Sequence, residues 1–286
     1  RSLTCVPQRL GGGWQVSIVS HIIIIMLQLN HIHHTRCEEG MKQLPDACID
    51  CIVTSPPYGG LRRYNGFEWD FEVVASEMFR VLKPGGVLCW NTGDETINGQ
   101  AQLWPEKQAI GLVDQGFWLW DRITWEKHGV PCPTPKRYYN VTETVFVFSK
   151  GHPKVLNLIE DRVNTSAGRK ETTHKRTSRE HRVRSNRPQY VTQETGRRTN
   201  VWRFATDRNE TNHPAVMNLN LAHDLIASYT DEHDIVLDPF AGSGTTFVAA
   251  EYIRRRWIGF EVSEDYIKAA NQRLLKHTFN LFSHCG

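Results

Sequence analysis

The sequence has no ordered cysteine framework, although it contains seven cysteines among 286 residues. Its single CxxC pair, Cys48 and Cys51, has no second pair at zinc-ribbon spacing and sits where a strand is expected to begin. The histidines of residues 31–34 lie near Cys37, but their alternation favours a strand over a set of metal ligands. We therefore predict structural cysteines, no metal site and a reducing compartment, which is the cytoplasm (at the nucleoid in a bacterium) or a eukaryotic nucleus.

A long hydrophobic run is also missing. The most apolar stretch, Val16–Leu29, is shorter than the roughly 20 residues that span a bilayer, and it contains His21. No small-residue cleavage site follows the basic start, which argues against a secretory signal peptide. We treat residues 1–25 as an N-terminal extension.

The chain lacks a strong net charge, since its formal charge is only +3 at pH 7. The charge is unevenly distributed, however, because residues 151–200 contain twelve Lys and Arg against five Asp and Glu, which leaves the remainder net negative. This stretch is either a disordered, solvated insertion or a surface that contacts a polyanion, and its contrast with the rest of the chain favours nucleic acid. The arginines that we predict to contact DNA are Arg176, Arg179, Arg182, Arg184 and Arg187.

Apolar strands alternate with amphipathic helices along the rest of the chain, which predicts an α/β fold with a mostly parallel sheet. Residues 118–125 and 142–148 alternate and are rich in aromatic side chains, so we expect an antiparallel hairpin with a Pro-rich loop between them. The expected halves of this domain are residues 26–150 and 201–286, separated by the basic insertion of 151–200. The predicted helices are Glu38–Gln43, Phe71–Leu82, Gln102–Gln115, Val216–Tyr229, Thr245–Arg254 and Glu264–Leu275.

The segment Asp238–Thr246 follows a buried strand and reads as a loop that a ligand approaches. Gly242 and Gly244 remove side chains where a ligand must come close to the backbone, and the following threonines open a helix. Glu261 ends the next strand, where a carboxylate can accept hydrogen bonds from ribose hydroxyls. No Lys follows the second glycine, which excludes a P-loop, and Asp238 suits a cationic ligand better than a phosphate. These features indicate S-adenosylmethionine (SAM).

The segment Ser55–Tyr58 ends another apolar strand. Its two prolines leave carbonyl groups unpaired, and these carbonyls and the Ser55 hydroxyl can accept hydrogen bonds from an amino group. Tyr58 offers a flat face on which a base can stack. A Pro-Pro turn explains this segment equally well by itself. Both segments together indicate methyl transfer to the exocyclic amine of a nucleic-acid base.

Methylation at C5 of cytosine would instead require a thiolate nucleophile. Cys132 is the cysteine to consider, because prolines flank it in the loop between the two aromatic strands. This loop is far in sequence from both ligand segments, so we interpret Cys132 as a bystander.

The order of these segments resembles the β-group of DNA amino-methyltransferases. Thr54-Ser55-Pro56-Pro57-Tyr58 matches the catalytic motif of that group, and Asp238–Thr246, after the basic region, matches its SAM motif. The resemblance covers about Ile32 to Leu275. It implies a Rossmann-like class I SAM-dependent methyltransferase fold with a circularly permuted motif order. Further similar stretches are Leu82–Gly86, Asn91–Asp94, Asn200–Trp202, His213–Ala215 and Gly259–Glu261.

The resemblance also implies roles for individual residues. Ser55, Pro56, Pro57 and Tyr58 are expected to hold a target base that has been flipped out of the duplex. The residues expected to line the SAM site are Asp238, Phe240, Gly242, Ser243, Gly244, Thr245, Thr246, Glu261, His213 and Pro214.

Ser55 in the first motif position favours N4 of cytosine over N6 of adenine, which is the first alternative. Methylation of RNA or of a protein amide is a second alternative, although those relatives usually carry Asn in place of Ser55 and lack a large basic insertion. The expected partners are DNA and, as in family members, a second copy of the chain or a cognate restriction endonuclease. The sequence departs from the family at Thr35-Arg36, where relatives usually carry Gly-Asp. This departure supports a third alternative, a catalytically inactive DNA-binding module.

Overall fold

The computed structural model describes residues 28–57, 69–129, 136–171, 174–176, 182–184, 190–205 and 216–283. It divides the chain into two units, of which one comprises the residues up to Leu156 and from Val201 onward, and the other is Asn157–Asn200. The predictions that lie outside the described residues concern the extension of residues 1–25, Tyr58, Cys132, Arg179, Arg187, His213 and Pro214.

The larger unit is built on an eight-stranded sheet. The strands lie in the order β1-β8-β7-β2-β3-β5-β4-β6, and within this sheet only β5 runs antiparallel to its neighbours. The mostly parallel sheet and its antiparallel hairpin, β4 with β5, confirm the fold class expected from the sequence. The strands are β1 (His31–His34), β2 (Ile49–Thr54), β3 (Leu82–Thr92), β4 (Trp118–Lys127), β5 (Thr142–Ser149), β6 (Val201–Phe204), β7 (Ile235–Asp238) and β8 (Arg256–Glu261).

Helices cover this sheet on both faces. The first three helices share one apolar core with alternate residues of the central strands, among them Ile52, Leu88 and Leu237. Side chains alternate along a strand, so the intervening residues face the later helices, of which α4 contacts β2 and β3. The helices are α1 (Cys37–Lys42), α2 (Phe71–Val81), α3 (Trp104–Asp114), α4 (Leu219–Tyr229), α5 (Thr245–Tyr252) and α6 (Glu264–Ser283).

Local sequence explains where several of these elements begin. The central strands β2 and β7 are almost entirely buried, as expected for parallel strands with helices on both faces. Asp70 caps α2 by accepting hydrogen bonds from the backbone N–H groups of Glu72 and Val73. Asn218 caps α4 in the same way through Leu221, so this helix begins three residues later than the predicted Val216.

Other elements differ from the prediction in length. Helix α2 ends at Val81, one residue before the predicted Leu82, and the chain enters β3 at once, with Gly85 at φ +78° and a shift in register beside Ile49. Strand β6 was not predicted, because Val201–Phe204 shows neither a continuous apolar run nor a clear polar alternation. Helix α6 continues beyond Leu275, whose exposed side chain adds nothing to an apolar stripe.

The smaller unit contains nested antiparallel ladders. Arg162–Val163 pairs with Thr195–Gly196, Lys170–Glu171 pairs with Tyr190–Val191, and the innermost ladder joins residues 174–176 to 182–184. In the innermost ladder Arg176 lies opposite Arg182, and His174 lies opposite Arg184. The described part of the basic insertion is therefore a two-stranded ribbon. In the described part of the chain, no helix combines the length and apolar character needed to cross a membrane.

Candidate active site

The two ligand segments lie side by side at the centre of the sheet. Strand β2 ends at Thr54 and β7 ends at Asp238, and the register pairs Val236 with Cys51 and Leu237 with Ile52. From β7 the chain continues to β8 on one side, whereas from β2 it continues to β3 on the other. Ligands of open α/β sheets bind where the connections diverge in this way.

The carboxylate of Asp238 joins the two segments. Its Oδ1 accepts hydrogen bonds from the Thr54 hydroxyl at 2.6 Å and from the Phe240 backbone N–H at 3.0 Å, and its Oδ2 accepts one from the Thr246 hydroxyl at 2.8 Å. Burial raises the pKa of Asp238 to about 7, although these hydrogen bonds act in the opposite direction. Asp238 is thus held by the protein itself, and its direct contact with a ligand stays a prediction.

The glycine loop adopts the backbone that its sequence predicts. Gly242 and Gly244 have φ values of +49° and +74°, which residues with a Cβ rarely adopt. Glu261 supports the loop, since its Oε2 accepts a hydrogen bond from the Gly242 N–H at 2.9 Å. Its Oε1 accepts two more from the backbone N–H groups of Val262 and Ser263. A carboxylate offers about four acceptor positions, so a ribose hydroxyl can still bind here.

The hydroxyl groups after the first glycine are buried and engaged with the protein. Thr246 donates to Asp238 and contacts the carbonyl oxygen of Val53 at 3.3 Å. Arg273 on α6 donates to the Thr245 hydroxyl at 2.6 Å, and Ser243 lies 3.2 Å from the same oxygen. These side chains position the loop rather than face an open cavity. The sequence offered no signal for Arg273, which lies far along the chain.

Ser55 lies at the start of a polar network that the sequence analysis missed. The side-chain amide of Asn91, at the end of β3, donates to the Ser55 hydroxyl at 3.4 Å and to Glu143 Oε2 at 3.0 Å. Lys127 donates to the other carboxylate oxygen of Glu143. Apart from Ser55, only Asn91 in this network belongs to a stretch with a family resemblance. Pro56 is buried, whereas Ser55 and Pro57 are half-buried.

An ion pair lies at Thr35-Arg36, where the sequence departs from the family pattern. Arg36 donates to Glu38 at 2.9 Å, and the buried Glu38 also accepts hydrogen bonds from the Cys37 thiol and the Asp70 backbone N–H. Burial opposes ionisation of Glu38, but its hydrogen bonds outweigh burial and lower its pKa. The positive charge of Arg36 is therefore balanced by the carboxylate of Glu38, two residues later.

The described cysteines do not provide a nucleophile. Cys37, Cys48, Cys51 and Cys89 are free and buried. Burial raises the pKa of Cys48 to about 12 and also raises the pKa of Cys37, and the hydrogen bond with Cys89, together with burial, raises the pKa of Cys51. The thiols of Cys37, Cys48 and Cys51 are protonated at neutral pH. In the same part of the chain no group of three or more His, Cys, Asp or Glu side chains is placed to hold a metal ion.

The residues present fit SAM. The loop from Asp238 to Thr246 contains no basic side chain, and the two carboxylates beside it, Asp238 and Glu261, match a cationic ligand with ribose hydroxyls. Phe240 and Trp69 form an aromatic wall at this end of the sheet, with ring centroids 5.0 Å apart. Fold and site together define a class I SAM-dependent methyltransferase.

Comparisons with known proteins agree with this class. A family model described as DNA methylase matches residues 49–272. The orphan methyltransferase M.BamHII of Bacillus amyloliquefaciens is 41% identical over 242 residues, which cover 82% of this chain and 91% of that relative. The type II methyltransferase M.BglII of Bacillus subtilis is 26% identical over 265 residues, covering 86% of this chain and 69% of the relative.

Solved structures show the same fold. The PvuII DNA methyltransferase (cytosine-N4-specific) superposes with a TM-score of 0.61 at 20% identity and covers 85% of both chains. The M1.HpyAVI–SAM complex has a TM-score of 0.56 at 24% identity, covering 85% of this chain and 99% of the other. The chain belongs to the DNA methylase family, whose members are SAM-dependent N4/N6 amino-methyltransferases.

Proposed function

We propose that the protein transfers the methyl group of SAM to the exocyclic N4 amine of a cytosine in DNA. The observation that carries this proposal is the position of Ser55-Pro56-Pro57 beside the Asp238–Thr246 loop. The two segments are linked by the 2.6 Å hydrogen bond between Thr54 and Asp238. An amine bound at the first segment would thus lie next to a cofactor bound at the second.

The residues of the first segment bind and orient the amine. An exocyclic amine is a poor nucleophile because its lone pair is delocalised into the ring. The Ser55 hydroxyl and the carbonyl groups beside the prolines accept hydrogen bonds from its N–H groups and hold them in an orientation that restores lone-pair character. Tyr58 stacks on the base. SAM supplies an activated methyl group, so no covalent enzyme intermediate is required.

The second segment holds SAM. Gly242 and Gly244 allow close approach to the backbone, and Glu261 accepts a hydrogen bond from the ribose. Asp238, Ser243, Thr245 and Thr246 shape the loop through their internal hydrogen bonds. Phe240 contributes to the aromatic wall, and we assign His213 and Pro214 to the same site on the family resemblance alone.

Ser55 is the reason for preferring cytosine. The structural neighbour named as cytosine-N4-specific is consistent with this choice, although 20% identity speaks for the fold alone. Adenine N6 is the second candidate, because the same acceptors fit its amine. A catalytically inactive module is disfavoured by the ion pair at Arg36 and by the hydrogen bond that joins the ends of β2 and β7.

The basic ribbon contacts DNA in this proposal. A two-stranded ribbon fits the major groove, and the innermost ladder of the smaller unit carries Arg176, Arg182 and Arg184. Arg179 and Arg187 are further candidates for contact with phosphates. The curated relatives include both orphan and type II methyltransferases, so a cognate restriction endonuclease and a second copy of the chain stay proposed partners.

The Ser55→Ala variant tests the catalytic assignment. We expect transfer of labelled methyl groups from SAM to DNA to fall by roughly 100-fold or more, because the amine loses a positioned acceptor. SAM affinity, measured by calorimetry, should stay within about twofold of the wild-type value. A variant that retains full methyl transfer would contradict the catalytic role of Ser55.

A further inference from the structure

A charged pair outside both ligand segments is connected to Ser55 through one side chain. Glu143 on β5 is only 10% exposed at its side chain, and Lys127 on β4 is 23% exposed. Burying such a pair costs desolvation free energy, and well-packed apolar side chains often stabilise a fold equally well. A contribution to stability therefore does not explain why the pair lies at this end of the sheet.

The sheet places all members of this network on one face. Asn91 lies opposite Val145 on β5, and Glu143, two residues before Val145, lies on the same face. Glu143 in turn lies opposite Trp125, and the Lys127 ammonium lies 5.0 Å from the ring centroid of Trp125. Lys127 is thus held by its ion pair with Glu143 and by the ring of Trp125.

The carboxylate of Glu143 orients the amide of Asn91. Carboxylates only accept hydrogen bonds, so the Asn91 group that faces Glu143 at 3.0 Å is the NH₂ group. The same NH₂ group reaches the Ser55 oxygen at 3.4 Å. Ser55 accepts this hydrogen bond, which fixes the direction of its remaining lone pair and of its own O–H.

We propose that Glu143, held by Lys127, is a positioning residue that acts through Asn91 to orient the Ser55 hydroxyl toward the target amine. This inference rests on the proposed function. It assigns the antiparallel hairpin β4–β5 a part in methyl transfer in addition to its part in the sheet. None of the three residues outside the Ser55–Tyr58 segment needs to touch the base.

A double-mutant cycle with Glu143→Gln and Ser55→Ala tests this. We expect Glu143→Gln alone to lower the single-turnover rate of methyl transfer by about 10- to 100-fold, since small misplacements of catalytic groups have effects of this size. SAM and DNA affinities should change little. In the Ser55→Ala background the same change should alter the rate by less than about twofold. Equal losses in both backgrounds, or an unchanged rate, would overturn the inference.

Glu126→Gln is the matched control. Glu126 lies on the neighbouring strand β4 and pairs with Arg203 at 3.0 Å, but no hydrogen bond among the described residues connects it to Ser55. This variant should keep the wild-type rate. A product other than N4-methylcytosine would change the base assignment alone, because the cycle compares rates for whichever amine is methylated.

A second readout needs no turnover. With selective ¹⁵N labelling of asparagine, the side-chain amide resonances of Asn91 should shift in both Ser55→Ala and Glu143→Gln, and they should stay in place in Glu126→Gln. An inactive wild-type protein that shows these shifts would contradict the proposed function while leaving the network intact. Resonances unmoved by Ser55→Ala would contradict the network.

Discussion

At the scale of single residues, Asp238 connects the two loops of the candidate site. Both of its oxygens accept hydrogen bonds, from Thr54 and Phe240 on one side and from Thr246 on the other. A carboxylate in such a position keeps the ends of β2 and β7 in register with the first turn of α5. Its elevated pKa, about 7, makes this connection dependent on pH.

The first prediction concerns the stability of the fold as pH changes. The folded protein retains the Asp238 proton up to a pKa of about 7, whereas the unfolded chain loses it at about 3.9. The contribution of Asp238 to the free energy of unfolding therefore falls as pH rises from about 4 to about 7. Thermal melts of the wild type and of Asp238→Asn over a pH series should show this fall.

The melting temperature of the wild type minus that of the variant should decrease from about pH 5 to about pH 8, because the asparagine does not titrate. A difference that stays constant, or one that increases with pH, would contradict the assignment of a raised pKa to Asp238.

The second prediction concerns the hydroxyl that bridges the loops. Thr54→Val keeps the shape of the side chain but removes its hydrogen bond to Asp238, which should lower the free energy of unfolding by about 1–3 kcal/mol. It should also weaken SAM binding, because the segment Asp238–Thr246 loses one of its two side-chain hydrogen bonds to β2. Chemical denaturation and calorimetry measure the two effects.

Thr92→Val is the matched control for this variant. Thr92 is equally buried at the end of β3, but its hydroxyl donates to Gln108 at 2.9 Å. It should lose comparable stability and keep the wild-type affinity for SAM. If both variants bind SAM equally well, the link between Thr54 and the loop does not matter for the cofactor.

Sequence patterns predict these residues unequally. Ser55, Gly242 and Glu261 belong to local patterns with a chemical interpretation, so their candidate roles could be proposed in advance. Asn91 takes part because strand pairing brings it to Ser55, 36 residues away in sequence, and Glu143 takes part through Asn91, from which it is 52 residues away. Such contacts depend on sheet register, which a single sequence does not specify.

At the scale of elements, α6 packs closely against the glycine loop. A Cβ at Gly244 would lie 2.9 Å from the Cβ of Ala270 on α6, and the residue has φ +74°. Gly244 thus permits both the positive φ of the loop and the close approach of α6.

The third prediction separates these two effects. Gly244→Ala should destabilise the protein by about 2–4 kcal/mol, because backbone strain and overpacking add. Gly99→Ala should cost only about 1–2 kcal/mol, since Gly99 has φ +79° but nothing within 4 Å of its Cβ position. Denaturant unfolding measures both values.

Ala270→Gly provides the complementary background. The cost of Gly244→Ala should be smaller when Ala270 has been changed to Gly, and the cost of Gly99→Ala should be the same in both backgrounds. An undiminished cost of Gly244→Ala would show that the contact with α6 is not the cause.

Elements with a clear apolar pattern were predictable, and elements without one were not. Helix α2 was predicted within one residue, because Val74, Met78 and Val81 show helical spacing over about two turns. Strand β6 escaped prediction because its four residues, which pair only with the last part of β4, contain no such pattern. Ladders of two or three residues in the basic insertion carry no periodicity, so their pairing could not be anticipated.

At the scale of the whole molecule, positive charge is concentrated in the residues of the smaller unit. The larger unit contains the sheet and both ligand segments, and the described ribbon of the smaller unit contains Arg176, Arg182 and Arg184, three of the arginines proposed to contact DNA. Because the two sets of residues lie in different units, we expect that DNA affinity and SAM affinity can be changed separately.

The fourth prediction tests that separation. Charge reversal at Arg182, Arg184 and Arg187 should weaken DNA binding and reduce the slope of log affinity against log salt by up to about three, since each lost phosphate contact contributes about 0.9. SAM affinity should not change. Fluorescence anisotropy over a salt series measures the slope.

A control with the same change in net charge is available on the larger unit. Its three reversals are placed at the exposed residues Lys42, Arg254 and Lys268. This variant should alter the salt slope far less than the ribbon variant. Equal slopes in the two variants would mean that total charge, and not the ribbon, determines DNA affinity.

The central claim is that this chain methylates N4 of cytosine in DNA. The most direct test is mass spectrometry of nucleosides from DNA incubated with the protein and SAM that carries a labelled methyl group. The account predicts labelled N4-methylcytosine, and its loss in Ser55→Ala. Labelled N6-methyladenine would contradict the interpretation of Ser55, and DNA that is bound without receiving label would contradict the claim of methyl transfer itself.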